Sequence, residues 1–126
     1  MNTATIIEDA DRSIHDACLA IDDITHERSD YHHGLVKGQR DNAYRCPVGL
    51  PLNAACGSAG TVAVDANSVC FIGPYARQFG IACAHAWETR WWLAAGDHEI
   101  VYVSTPRSLR LFVEGFDACK YPAYEA

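Results

Sequence analysis

At 126 residues and a formal net charge of −6, the chain has the length of one domain, and its 49% apolar content can bury a core without disulfides or metal. No apolar run approaches the roughly 20 residues of a membrane span, and the acidic amino terminus lacks the basic-then-apolar pattern of a secretory leader, so a cytoplasmic protein is expected. The charge is uneven: residues 1–30 carry eight acids against Arg12 and Arg28, while the rest of the chain holds eight acids and eight bases. That balance argues against direct binding to a phosphate backbone, which needs a basic patch, and suggests either a partner protein with a basic surface or a solvated acidic face that serves solubility alone.

From Thr5 to Ile21, Ile7, Ala10, Ile14, Ala17, Cys18 and Ile21 recur at spacings of three and four, while Glu8, Asp9 and Asp16 project from the far side. This predicts an amphipathic helix with an acidic outer face, capped by Thr3 or Thr5 and ending near Asp22 and Asp23. A second short helix is predicted over Thr25 to His33, closed by Gly34, and the polar Lys37–Asn42 reads as a turn. Pro51 interferes with a helix begun at Pro47, so a turn is expected at 46–50 and a helical turn or two from 51 to 56, ended by Gly57.

Thr61 to Asp65 and Ser68 to Ile72 alternate around Asn67 and predict a hairpin. Gly73-Pro74 then opens a predicted loop of about a dozen residues past Tyr75, Arg77 and Phe79. Ala86 to Ala94 and His98 to Val103 read as a second hairpin across Ala95-Gly96-Asp97, with Trp87, Thr89, Trp91 and Leu93 on one face and Glu88, Arg90 and Trp92 on the other. Ser104-Thr105-Pro106 starts a final helix that carries Leu109, Phe112, Val113 and Phe116 at helical spacing. The whole reads as a single α+β domain over 1–126, an acidic helix over 1–24 and a core over 25–126. Its sheet is four-stranded and mainly antiparallel, two hairpins with helices packed on one face.

The order of Cys46-Pro47-Val48, a two-hairpin sheet and a helix ending Phe116-Asp117-Ala118 before an aromatic tail resembles a group of small phage and prophage accessory proteins, over roughly residues 25–126. The chain departs from that group at Gly49 and Pro51, where helix formers are usual, and at Cys119, where glycine is frequent. The resemblance implies a phage or mobile-element protein, acting in the host-cell cytoplasm, that binds and blocks a host factor, a nucleic-acid-guided defence complex (as anti-CRISPR proteins do) among the candidates.

Two surfaces are candidates for that work. Glu8, Asp9 and Asp16, with Asp22 and Asp23 beyond, form an acidic track that can occupy a basic groove on a host protein. Tyr75, Arg77, Arg90, Trp91 and Trp92 form an aromatic and cationic patch suited to a partner contact, a homodimer seam or a nucleotide whose base stacks on an indole. The neighbouring tryptophans must point to opposite faces of their strand. A sequestering protein for a nucleotide signal is the alternative function, and a small zinc or thiol enzyme the third.

Chemistry is poorly supported by spacing. Six cysteines without a leader predict reduced, mostly buried thiols. His32-His33 and Cys83-Ala-His85 are the nearest ligand pairs and no Cys-x2-Cys exists, so no metal or other cofactor is expected. His85-Ala-Trp-Glu88 is one residue too long for a zinc-deaminase signature, and Gly57-Ser-Ala-Gly60 lacks the lysine of a phosphate loop. Cys46, before a helix start, is the one candidate nucleophile, weighed against an inert helix entry. No catalytic residue is assigned, and a non-enzymatic protein is expected.

Overall fold

The computed structural model describes residues 3–25, 37–96, 99–121 and 124–125. In chain order the elements are α1 (Thr3–Thr25), α2 (Gly49–Cys56) running into a short 3-10 turn, β1 (Thr61–Val64), β2 (Ser68–Ile72), α3 (Ala76–Trp87), β3 (Trp91–Leu93), β4 (Ile100–Ser104) and α4 (Arg107–Asp117). The fold is α+β, with an antiparallel sheet in the order β1-β2-β4-β3. Apart from Thr25, the helix predicted to run to His33 lies outside the described residues, as do the side chains of Thr3 and Thr5. Among the described residues no helix is long and apolar enough to cross a membrane.

Strand alternation builds the core. The register aligns Val62, Phe71, Val101 and Leu93 in one row and Val64, Val69, Val103 and Trp91 in the next, so the β-branched residues of three strands share the buried face. Against that face α2 packs on β1, and α3 packs on β2 and β4. α1 lies across α2 and α3, burying Ile14, Cys18 and Ile21, and meets α4 near its end. The indole Nε1 of Trp87 donates to the Cys18 carbonyl at 2.8 Å and ties the end of α3 to α1.

The segment 74–94 departs from the sequence reading. Its predicted loop and long strand are a helix, α3, followed by a three-residue strand. Trp87 therefore sits on the helix and does not share a strand face with Trp91. The buried positions of α3 are Ala76, Phe79, Gly80, Cys83, Ala84 and Trp87, a regular helical stripe built largely from residues too small to register as apolar. A Cβ on Gly80 would lie 2.5 Å from Cγ1 of Val101, so the missing side chain lets the helix approach β4. α3 ends with Glu88 in the left-handed conformation, φ 56°, and Thr89 N–H donating back to the Ala84 carbonyl.

The Cys46-Pro47 turn is helix entry. The Gly49 N–H donates to Cys46 Sγ at 3.2 Å and the Leu50 N–H to the Cys46 carbonyl at 3.0 Å, so α2 starts at Gly49, two residues before the predicted 51. Pro51 is tolerated because a residue in the first turn has no intrahelical acceptor for its N–H. Gly49 is required where the resembled group has helix formers, since a Cβ there would lie 2.8 Å from the Ala43 carbonyl oxygen. α4 begins at Arg107, with Pro106 one position outside, and ends in a Schellman turn that puts Cys119 at φ 64°, the site where glycine is frequent in that group.

Candidate functional site

α1 presents two working sides. Its outer side exposes Glu8, Asp9, Asp16 and Asp23 together with Arg12 and with Leu19, which is 42% exposed. Among the described residues no lysine or arginine pairs with these four acids; Asp16 has only His15, at 3.9 Å. Asp22 is turned away, half-buried, and accepts from the Ser108 hydroxyl at 3.3 Å in the first turn of α4, where helix polarity favours a carboxylate. The acidic track is therefore four residues, with Asp22 serving as a helix–helix contact.

The flank of α1 facing α3 forms one wall of a groove of about 870 Å³, within the usual size range of ligand pockets. Asp11 and His15, one turn apart, face Tyr75, Arg77, Ile81 and His85 across it. The His15 and His85 rings lie 6.1 Å apart, inclined by 32°. Asp11 Oδ1 is shielded from solvent without a hydrogen-bond partner among the described residues, and burial pushes this carboxyl above its ordinary range while the charge of His15 pulls it back. A second depression shares Ile81 and His85 and extends to Glu88, Thr89 and Trp91. Thr89 Oγ1 is likewise shielded and unpartnered among the described residues.

The aromatic patch is split by the sheet. Trp91 points to the core face, with the Arg77 guanidinium 5.6 Å from its ring centre, and Tyr75 lies at the start of α3, tilted 6.1 Å from Phe79. Trp92 points to the opposite face, 41% exposed, stacked 5.7 Å from Tyr102 with Arg90 at 6.0 Å. Tyr75, Arg77 and Trp91 thus border the grooves beside α3. Arg90 and Trp92 lie on the sheet face away from the helices.

All six cysteines are free; Cys18, Cys46, Cys56 and Cys83 are buried, Cys70 is half-buried and Cys119 exposed. Burial pushes the Cys46 thiol up, outweighing the hydrogen bond from Gly49. Burial also pushes Cys56 up to about 12 and raises the Cys83 thiol well above its ordinary range, with Cys18 adding in the same direction for both. Among the described residues no three histidine, cysteine or acidic side chains gather as metal ligands.

Asp11, His15, His85 and Thr89 were not singled out by sequence as a site. The spacing of Asp11 and His15 places them on one helix flank, but His85 joins them only because 76–87 is helical. No family model, curated protein or solved structure matches the chain.

Proposed function

We propose that the chain is a non-enzymatic binding protein that captures a basic surface of a partner protein on the outer side of α1. The observation that carries this reading is the exposure of Glu8, Asp9, Asp16 and Asp23 along one side of a 23-residue helix whose other side is locked into the core. Such a helix is about 34 Å long, and its backbone is already ordered before binding, so little conformational entropy is lost on association. Leu19, between Asp16 and Asp23, supplies an apolar contact inside the charged track. Long-range attraction from four exposed carboxylates raises the association rate toward a basic groove and disfavours acidic surfaces.

The resemblance to phage and prophage accessory proteins supports a host factor as the partner, and a basic groove that normally holds nucleic acid is the surface four spaced carboxylates imitate best. The test is capture from bacterial lysate at low and at high salt by the native chain and by a variant carrying Glu8→Lys, Asp9→Lys, Asp16→Lys and Asp23→Lys. The reading requires a nucleic-acid-binding protein that is retained at low salt, released at high salt and lost with the variant. Undiminished capture by the charge-reversed chain would overturn it.

A further inference from the structure

The groove between α1 and α3 makes three chemical demands on an occupant. Asp11 lines the groove and its Oδ1 finds no donor among the described residues, so its carboxylate favours an N–H group on an occupant. His15 on α1 and His85 and Tyr75 on the α3 side line the groove together with the apolar Ile81 and Ala82, a lining that suits a flat ring. Arg12 and Arg77 stand exposed on the two helices bordering the groove, with Arg77 steadied by the Trp91 ring, and both favour an anionic group.

We propose that this groove binds a small nucleotide, its base donating to Asp11 beside the two histidines and its phosphate held by Arg12 and Arg77. A nucleotide meets all three demands in one molecule: a donor edge, a flat ring and an anion. A metal ion would meet only the first, and no third ligand joins Asp11 and His15 among the described residues. A lysine or arginine from a protein would also meet the first and could reach Glu8 on the same lining, but it would enter beside two arginines and leave the aromatic rings unused. Guanine fits best, because its neighbouring ring and exocyclic N–H groups both face a single carboxylate. Thr89 Oγ1, shielded in the adjoining depression that shares His85, offers a further polar contact along the same channel. The proposal does not rest on capture of a protein by the outer side of α1. It is read on the purified chain with no partner present, so either reading can fail without the other.

The experiment is isothermal titration of the full chain with GMP, AMP and ribose 5-phosphate, each also followed by thermal shift, and repeated with Asp11→Ala and Arg77→Ala. The expected result is saturable GMP binding that raises the melting temperature, with AMP weaker and ribose 5-phosphate at least tenfold weaker. Asp11→Ala lowers GMP affinity about tenfold and Arg77→Ala weakens all three ligands, while both variants show native circular dichroism. Absence of GMP and AMP binding at millimolar concentration would overturn the proposal. Equal binding of ribose 5-phosphate, or GMP binding untouched by both substitutions, would overturn it as well.

Discussion

Asn53, a half-buried residue on α2, bridges helix and sheet. Its Oδ1 accepts from the Val62 N–H at 2.8 Å, and its amide nitrogen donates to the Val62 carbonyl at 2.7 Å and the Gly49 carbonyl at 2.9 Å. The side chain stands in for a missing neighbour strand and blunts the open edge of β1. Asn53→Ala strands those backbone groups, and the expected loss is about 2 kcal/mol in urea unfolding. Cys56 and Cys83 carry a pH dependence. Because burial raises the folded Cys56 thiol from 9.0 to about 12, the folded chain holds a proton that the unfolded chain releases between those values. Stability is therefore fully present below pH 9 and falls as pH rises toward 12. Cys56→Ala should flatten that decline in unfolding curves taken across the range.

α3 shows what the element scale adds. Gly73, Pro74 and Gly80 read as loop punctuation, and alanine and cysteine are weak as apolar markers, so the helix was hidden although its stripe is regular. The decisive term is tertiary: Gly80 sits against Val101 and Val103 of β4, where any side chain would force the helix away from the sheet. Gly80→Ala, which raises helix propensity in isolation, should destabilise the protein by about 1–3 kcal/mol through overpacking. A gain in melting temperature would show that α3 does not make this approach. The first hairpin and α4 were legible because their large residues announce their own period: Val62 and Val64 alternate, and Leu109, Phe112, Val113 and Phe116 recur at three and four.

For the molecule as a whole, charge and core are segregated on α1. The acids that face water contribute little to stability, since each exposed substitution away from packing contacts costs within about 0.5 kcal/mol. Neutralising Glu8, Asp9, Asp16 and Asp23 to the matching amides should leave circular dichroism native and the melting temperature unchanged or raised, because the like charges repel. It should also remove the salt dependence of partner capture. Collapse of the fold on neutralisation would mean that these carboxylates hold α1 in place. Trp92 and Arg90, on the sheet face away from the helices, cannot join the α1 track in one compact contact. The aromatic patch expected from sequence as one surface becomes two, Tyr75, Arg77 and Trp91 on one side of the sheet and Arg90 and Trp92 on the other.

The sequence by itself determined the α+β class, the acidic outer side of α1, the strand alternation and the opposite orientation of Trp91 and Trp92. Each of these is a local periodicity read from neighbouring residues. Tertiary structure alone decided that 76–87 is a helix, that Asp22 turns to Ser108, and that Asp11 and His15 meet His85 across a groove. The reason is physical: those outcomes depend on close approach between segments distant in the chain, Gly80 of α3 against Val101 and Asp22 against Ser108, with α3 seated largely through glycine, alanine and cysteine. Such small side chains carry little hydrophobic signal along the chain, and their effect is felt only where two surfaces pack.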